Sequence, residues 1–557
     1  MNTRGADKLV DALRQVGADC VFGLPGTQNV ALYEALRTSS LRSVVATSEL
    51  SAAMMANGYY RASGRPGVVL TIPGPGFAWA LPGIAEAALD SAALLHITGA
   101  PATAPGSHFQ LQAFNQTSVA APLYKAVFSV EHIGELGEAL VRAYRLSLEG
   151  EPGPVLLQIS QRPDGGSPIE SRWPEKEMHS PLSNEEAIAT TALALNRARR
   201  CVLLLGQGCH GAAESALRLA ERLHAAVITT TSGRGVLAED HPLSLGFECS
   251  GNNVESLNAL IESCDQVLAV GCKFSHNGSR GFRLRIPQEK LIHVDASEEV
   301  LGANYPARLV IRADARRFLQ DLCVRLEEAD PSRGFEAGEM AQWKRRATAE
   351  KLEGVIEPRI HGVAAGAPAA FFGALRRALP RDSILVTDSG QHQDLARRHF
   401  PVWSARGLIT PTNLQSMGFG IGAAIGAKLA APDRPVVALI GDGGLGMSGL
   451  ELLTAVREGL SLTVIVFVDG AYGAIRNQQR AAHGHAFGTQ LGAVDCKALA
   501  AALGARYVRF ESEPDNTLHD ALGNQGVTLV EVRVGDSLPM RWSQARGLAK
   551  DLLGRKS

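Results

Sequence analysis

Val436-Val-Ala-Leu-Ile-Gly-Asp-Gly443 is the stretch of sequence that decides the fold of this chain. The apolar run ends at Gly441-Asp442-Gly443, a helical pattern follows, and a second apolar run, Leu462-Thr-Val-Ile-Val-Phe-Val468, ends at Asp469-Gly470. This order predicts a strand, a tight turn, a helix, a strand and an acidic turn. It places Asp442 and Asp469 at the carboxyl ends of neighbouring parallel strands, where hard oxygen ligands favour Mg²⁺ and helix amides favour a diphosphate.

The same alternation of apolar runs and amphipathic helices extends along the chain in three segments. We expect an α/β protein with three consecutive doubly wound, mostly parallel-sheet domains at residues 1–165, 185–325 and 363–545. Residues 164–184 have the composition of a linker, and residues 326–362 that of a charged, helix-prone connector.

Composition describes a globular protein with no predicted nucleic-acid or membrane partner. The 557 residues include 55 basic and 56 acidic ones, 45% are hydrophobic and 20% charged, and the formal charge is −1. The N-terminus lacks the apolar region of a signal peptide, and no apolar stretch is long enough to span a membrane. The eight cysteines are scattered without a Cys-x-x-Cys pair, so we expect reduced thiols in a cytoplasmic enzyme and no zinc site.

The turn at residues 441–443 and its distant partner resemble the thiamine-diphosphate motif, in which Gly-Asp-Gly is followed just under thirty residues later by Asn-Asn. The resemblance implies that Asp442 and Asp469 bind Mg²⁺ together with the main-chain carbonyl of Ala471. Here the Asn-Asn pair is Val468-Asp469. Aspartate also binds Mg²⁺, so we expect an intact metal site with one more negative charge.

A second motif resembles the catalytic-glutamate segment of the thiamine-diphosphate enzymes of the acetohydroxyacid synthase and benzoylformate decarboxylase group. Glu49 follows an apolar run and precedes Asn57-Gly-Tyr-Tyr-Arg61, although Ser48 replaces the usual His. The resemblance covers nearly the whole chain and implies pyrimidine-binding, central and diphosphate-binding domains, in that order. It makes Glu49 the carboxylate that activates the cofactor's aminopyrimidine for proton removal.

The resemblance implies further cofactor-binding residues. Met417, in Gln415-Ser-Met-Gly-Phe-Gly420, is expected as the apolar wedge that keeps the cofactor folded. Gln391 and His392 are expected to contact the diphosphate. Asn115 stands where the synthases have an active-site Gln, and two first-domain turns are expected to reach the site from a partner subunit. The complete set of expected cofactor-binding positions is Gly26, Gly76, Asn115, Gln391, His392, Gln415, Met417, Gly441, Gly443, Gly444, Gly473 and Ala474.

The middle segment contains a dinucleotide-like pattern, Gly206-Gln-Gly-Cys-His-Gly211. The next strand ends in Thr-Thr-Ser-Gly without an acidic residue for a ribose, which argues against NAD. Acetohydroxyacid synthases bind FAD in this domain with an Asp-Asp-Arg sequence, but this chain has Gly271-Cys-Lys-Phe-Ser-His-Asn277. The Arg of that sequence is absent, so FAD binding is possible but unsupported.

The resemblance implies decarboxylation of a 2-oxo acid through an enamine, followed by one of two outcomes. Carboligation, as in acetolactate synthases, is favoured by Met417, Gln391-His-Gln393, Phe114 and Leu538-Pro-Met540. Simple decarboxylation or C–C cleavage is favoured by Gly470-Ala-Tyr-Gly-Ala-Ile-Arg476, which is close to the benzoylformate decarboxylase sequence. A non-catalytic thiamine-diphosphate-binding protein is the third alternative, and retention of Glu49 argues against it. We expect a homodimer or homotetramer with active sites between subunits and a small 2-oxo acid as substrate.

Overall fold

The computed structural model describes residues 3–101, 108–160, 185–246, 254–326, 333–353, 355, 357–512 and 514–537. Three sheets follow one another along the chain, each flanked by helices. The predicted α/β class with three mostly parallel sheets is confirmed. The domain limits stay predictions, and the proposed linker at 164–184 and Leu538-Pro-Met540 lie outside the described residues.

The first sheet is six-stranded and parallel, in the order β2-β1-β3-β4-β6-β5. Its strands are β1 (Cys20–Gly23), β2 (Arg42–Val45), β3 (Gly67–Thr71), β4 (Leu94–Gly99), β5 (Ala126–Val130) and β6 (Pro154–Ile159). Its helices are α1 (Thr3–Gln15), α2 (Val30–Arg37), α3 (Glu49–Ser63), α4 (Pro75–Leu89), α5 (Gln116–Ala120) and α6 (Leu136–Leu148).

The second sheet is five-stranded and parallel, in the order β11-β10-β9-β7-β8. Its strands are β7 (Cys201–Leu205), β8 (Ala226–Thr229), β9 (Gln266–Val270), β10 (Leu291–Asp295) and β11 (Leu309–Arg312). Helices α7 (Glu185–Arg197), α8 (Ala213–Leu223), α9 (Glu255–Ser263) and α10 (Ala315–Arg325) belong to this segment, and α11 (Ala337–Leu352) forms the predicted connector.

The third sheet has seven strands, and all pairs except β12 with β18 are parallel. Its strands are β12 (Pro358–Ile360), β13 (Ile384–Thr387), β14 (Leu408–Ile409), β15 (Val436–Gly441), β16 (Leu462–Val468), β17 (Arg506–Phe510) and β18 (Val527–Ser537). Its helices are α12 (Pro368–Ala378), α13 (Gln391–His399), α14 (Phe419–Ala430), α15 (Asp442–Ser448), α16 (Leu452–Arg457), α17 (Gly473–His483), α18 (Cys496–Ala502) and α19 (Pro514–Gly523). Strand β12 falls inside the predicted connector, so the third sheet begins before residue 363.

Helices α3 and α14 join the first and third sheets through one shared apolar core. Small residues allow the two backbones to approach closely: a Cβ at Gly58 would lie 2.0 Å from the carbonyl oxygen of Ala423, and one at Gly426 would lie 1.8 Å from that of Met55. The helix that begins with Glu49 is therefore fixed against the sheet that carries Asp442. In the described part of the chain, no helix has the length and apolarity needed to cross a bilayer.

The prediction of one helix between β15 and β16 is wrong in detail. Helix α15 ends at Ser448, a 3₁₀ turn follows at Gly449–Glu451, and α16 begins at Leu452. Glycine lowers helix propensity at this point. The turn also lets the Glu451 carboxylate accept hydrogen bonds from the backbone N–H of Thr47 at 3.1 Å and from its hydroxyl at 2.5 Å.

Candidate active site

The carboxyl ends of β15 and β16 bring two carboxylates together. The strands are parallel neighbours, and Asp442 and Asp469 each follow the end of one strand. Oδ2 of Asp442 accepts the backbone N–H groups of Asp469 at 3.1 Å and of Gly470 at 2.7 Å. Burial raises the pKa of Asp442 above its usual value. Such a pair of buried oxygen donors fits Mg²⁺.

Asp469 has a cationic partner inside the protein. Nη2 of Arg476, on α17, lies 2.9 Å from Oδ2 of Asp469, and the two side chains are only 6% and 12% exposed. Oδ1 of Asp469 accepts the N–H of Ala471 at 3.2 Å. Arg476 therefore lies beside the carboxylate that stands where the family motif has an amide.

His392 lies at the edge of the same sheet, beside the glycine turn. A Cβ at Gly441 would lie 3.2 Å from Nδ1 of His392. The ring is buried, and burial lowers the pKa of His392 to about 4. Its Nε2 has no hydrogen-bond partner among the described residues. Because buried polar atoms are normally paired, this nitrogen fits contact with a ligand oxygen such as that of a diphosphate.

Glycines keep the backbone of this edge accessible. A Cβ at Gly473 would lie 2.3 Å from Oδ2 of Asp469 and 3.2 Å from Oε1 of Gln391. A Cβ at Gly444 would lie 2.3 Å from Oδ2 of Asp388. Gln391, Gly473 and the neighbouring Ala474 therefore share one edge with the carboxylate pair.

Met417 contacts this edge from the turn that precedes α14. A Cβ at Gly443 would lie 3.0 Å from Cε of Met417 and 2.9 Å from Cε1 of Tyr472. Gln415 has a φ of 60° and Gly418 a φ of 82°, so the turn has left-handed backbone on both sides of Met417. The structure thus brings Met417 and Gly443 together.

Two buried carboxylates hold the Met417 turn. Asp388 accepts the backbone N–H of Gly418 at 3.0 Å, and Glu86 of α4 accepts that of Ser416 at 2.9 Å. Burial raises the pKa of Asp388 to about 6. Glu86 belongs to the segment of the first sheet and Asp388 to that of the third, so residues from two segments of the chain hold this turn.

Glu49 begins α3, and Ser48 caps the helix by accepting the N–H of Ser51 at 3.2 Å. The half-buried carboxylate of Glu49 lies against Gly76, where a Cβ would be 3.0 Å from Oε1. Burial and the nearby Glu49 carboxylate raise the pKa of Tyr33. These neighbours of Glu49 belong to the first segment, whereas Asp442 and Asp469 belong to the third.

The donor set matches Mg²⁺ and a diphosphate better than a softer metal. The described residues contain no group of three His, Cys, Asp or Glu side chains that could hold a metal ion. Asp442 and Asp469, with a main-chain carbonyl such as that of Ala471, are oxygen groups of the kind that could hold Mg²⁺ beside a bound phosphate.

Three protein-family profiles match the chain in this order. They are the N-terminal TPP binding domain of thiamine pyrophosphate enzymes at residues 3–119, their central domain at 188–322, and their C-terminal TPP binding domain at 388–532. The chain is also 31% identical over 540 residues to the acetolactate synthase isozyme 1 large subunit of Escherichia coli (strain K12), covering 95% of this chain and 94% of that protein. The chain belongs to the thiamine pyrophosphate enzymes.

Two other relatives show the range of the similarity. A probable acetolactate synthase large subunit of Methanocaldococcus jannaschii is 30% identical over 500 residues, 86% of this chain and 83% of that protein. A probable 2-ketoarginine decarboxylase, AruI of Pseudomonas aeruginosa, is 32% identical over 541 residues, 94% and 93%. The predicted family is confirmed: this thiamine pyrophosphate enzyme is acetolactate-synthase-like.

Other predicted positions of this thiamine pyrophosphate enzyme lie in the first segment. The Gly26 N–H binds Oδ1 of Asn29 at 2.7 Å, and a Cβ at Gly26 would lie 2.6 Å from Ile72. Asn115 is exposed and caps α5, where its Oδ1 accepts the N–H of Ser118 at 3.0 Å. The roles of Gly26 and Asn115 toward the cofactor stay predictions.

Several residues that shape the site of this thiamine pyrophosphate enzyme carry no recognisable signal in the sequence. Buried Gln116 accepts the N–H of Gly74 at 2.7 Å and thereby fixes the turn that leads to Gly76. Glu86, Asp388 and Arg476 are the buried charged groups described above. Burial of a charged side chain was the missing signal, and a single sequence does not reveal it.

A cleft of about 310 Å³ opens at the carboxyl ends of the central strands. The turn at residues 206–211 contributes Gly208 to the wall of this cleft. Asp295, Asp314 and Lys273 also line it. Burial raises the pKa of Asp295 to about 6. Lys273 forms an ion pair with Glu151. Nothing in this lining tests whether FAD binds, so FAD binding stays possible but unsupported.

Proposed function

We propose that this enzyme uses thiamine diphosphate and Mg²⁺ to decarboxylate a small 2-oxo acid and to join the remaining acyl unit to a second carbonyl compound. The observation that carries the proposal is the convergence of Asp442, Asp469, His392 and Met417 at one sheet edge of a chain that resembles acetolactate synthases over nearly its full length.

The chain's own groups divide the work as follows. Asp442, Asp469 and the Ala471 carbonyl would hold Mg²⁺, and Gln391, His392 and the amides at Gly443 and Gly444 would hold the diphosphate. When bound, the cofactor supplies a nucleophilic carbon and an electron sink for decarboxylation.

The remaining groups shape and activate the cofactor. Glu49 would donate a hydrogen bond to the pyrimidine ring and so favour the tautomer that removes the proton. Met417 lies in a turn that Asp388 and Glu86 hold in place, and it would keep the two rings of the cofactor folded against each other.

A simple decarboxylase is the second candidate. The similarity to a probable 2-ketoarginine decarboxylase and the sequence Gly470-Ala-Tyr-Gly-Ala-Ile-Arg476 favour it. In that case the acyl unit would be protonated and released as an aldehyde. A non-catalytic cofactor-binding protein would do neither.

We also propose a cytoplasmic homodimer or homotetramer with active sites between subunits. Large apolar side chains are exposed on the elements that border the site: Trp79 of α4 is 62% exposed, Met447 of α15 53% and Leu450 62%. A second copy would cover such side chains. Light scattering of the cofactor-loaded protein tests this, and an active monomer would contradict it.

A panel of 2-oxo acids tests the reaction. Pyruvate, 2-oxobutyrate, benzoylformate and 2-ketoarginine would be incubated with the protein, thiamine diphosphate and Mg²⁺, and CO₂, aldehyde and hydroxyketone products would be measured. We expect CO₂ together with a C–C ligation product. Aldehyde as the sole organic product would select the decarboxylase, and cofactor binding without CO₂ would select the non-catalytic alternative.

A further inference from the structure

The Asp469 carboxylate replaces an amide at a site that must also accept a diphosphate. Its Oδ1 and Oδ2 are occupied by the N–H of Ala471 and by the guanidinium of Arg476. The nearby Asp442 carboxylate is bound to the backbone of the same turn, at Asp469 and Gly470. Two neighbouring carboxylates repel each other before Mg²⁺ binds, unless another cation lies beside them.

Arg476 lies beside Asp469 in the protein interior and is not a surface residue. Within α17, all of whose residues are described, Arg476 is the one buried side chain. Besides the 2.9 Å ion pair, its Nη1 lies 3.5 Å from the carbonyl oxygen of Asp469. Both contacts hold the same residue, so the guanidinium fixes the backbone and the carboxylate of Asp469 together.

We propose that Arg476 is a positioning residue for the metal site and that it acts through the carboxylate of Asp469. It balances the charge that Asp469 adds and holds Oδ2, so that Oδ1, which accepts the N–H of Ala471, would be the oxygen offered to the metal. The inference rests on the proposed function, since it concerns Mg²⁺ held with thiamine diphosphate.

A double-mutant cycle tests the dependence on Asp469 without measuring turnover. The affinity for Mg²⁺ at saturating thiamine diphosphate would be measured by calorimetry for the wild type, Arg476→Met, Asp469→Asn and the double variant. We expect Arg476→Met to weaken Mg²⁺ binding about 10–100-fold, the range typical for partners of metal ligands. In the Asp469→Asn background the same change should have an effect within about threefold, because the charge to be balanced is gone.

Two further variants separate this role from general packing. Arg480→Met changes an exposed arginine one turn further along α17 and should leave Mg²⁺ affinity unchanged. If Arg476→Met does not fold, Arg476→Gln serves in both backgrounds, because it also removes the charge, and it should weaken Mg²⁺ binding only when residue 469 is aspartate. An equal loss in both backgrounds, or no loss at all, would overturn the inference alone. A wild-type protein that binds no thiamine diphosphate in the presence of Mg²⁺ would overturn the proposed function with it.

Discussion

The carboxylate of Asp388 accepts the backbone N–H of Gly418 at 3.0 Å, and this bond ties the end of β13 to the turn that carries Met417. The same carboxylate accepts the N–H of Phe419 at 3.3 Å and that of Ser389 at 2.7 Å. One fully buried side chain therefore satisfies the start of α14 and the turn before α13. The position of Met417 depends on Asp388 as much as on its own contacts.

Replacement of Asp388 by alanine should lower the stability of the protein. The N–H groups of Gly418 and Phe419 would lose their acceptor in a dry site, so we expect the free energy of unfolding to fall by about 1–3 kcal/mol. Urea unfolding measures this change. Asp382→Ala, at an exposed position close to β13, should stay within about 0.5 kcal/mol of the wild type. Equal losses of unfolding free energy for the two variants would contradict the stabilising role of the Asp388 hydrogen bonds.

The close contact of α3 and α14 predicts a strong penalty for one added methyl group. In Gly426→Ala, the new Cβ would meet the carbonyl oxygen of Met55 at 1.8 Å, so the helices must separate. We expect a loss of about 1–3 kcal/mol or more in the free energy of unfolding, as for overpacked cores. Gly137→Ala is the matched control, because a Cβ at Gly137 in α6 meets nothing within 4 Å. Thermal unfolding that ranks the two variants alike would refute this account of the helix contact.

The sheets were predictable because their strands are buried on both faces. Val436–Gly441 and Leu462–Val468 are continuous apolar runs that end at Asp442 and Asp469, so the strand periodicity and the acidic turns could be recognised together. The break between α15 and α16 could not. It depends on Glu451 reaching Thr47, more than four hundred residues earlier in the chain, and local propensity carries no information on such a contact.

The candidate site was predictable only where short motifs carry it. Glu49, Asp442 and His392 lie in such motifs, and the structure places Asp442 and His392 at one edge. Arg476 and Glu86 act through tertiary contacts, and each looks like an ordinary surface charge in the sequence. Their partners, Asp469 and Ser416, become visible only when the fold is known.

Glu49→Gln should separate binding from catalysis. The amide keeps the size of the side chain but is no longer a carboxyl group for the pyrimidine nitrogen, so we expect a rate loss of about 10²–10⁴-fold. Cofactor affinity, measured by calorimetry, should change little. Glu34→Gln, on the exposed side of α2, is the control and should retain full rate. Normal turnover by Glu49→Gln would rule out the assigned role.

Asp442→Ala should remove the Mg²⁺-dependent part of thiamine diphosphate binding. One of the two carboxylate ligands would be lost, and so would the acceptor of the Asp469 and Gly470 N–H groups. We expect affinity to fall by at least about 100-fold, and chelation of Mg²⁺ should release the cofactor from the wild type. Asp433→Ala, an exposed change just before β15, should bind normally. Unchanged calorimetric affinity in Asp442→Ala would show that another residue holds the metal.

Glu86 should make the stability of the protein depend on pH. Its side chain is fully buried on α4, with Oε2 bonded to Ser416, and Oε1 has no hydrogen-bond partner among the described residues. Burial, with a further contribution from the Asp90 carboxylate, raises the pKa of Glu86 to about 7. Buried Arg61 lies 3.4 Å from Asp90.

Because the folded-state pKa of Glu86 lies above the ordinary value of 4.5, the folded protein binds this proton more tightly than the unfolded chain. The resulting stabilisation is complete below pH 4.5 and is lost as the pH rises through about 7. Relative to Glu86→Gln, which cannot ionise, the wild type should lose up to about 3 kcal/mol of unfolding free energy across this range, since one pKa unit corresponds to about 1.4 kcal/mol. Urea unfolding of both proteins between pH 5 and 8 measures the difference. Parallel curves would mean that the pKa of Glu86 is the same in the folded protein and in the unfolded chain, which would contradict the prediction.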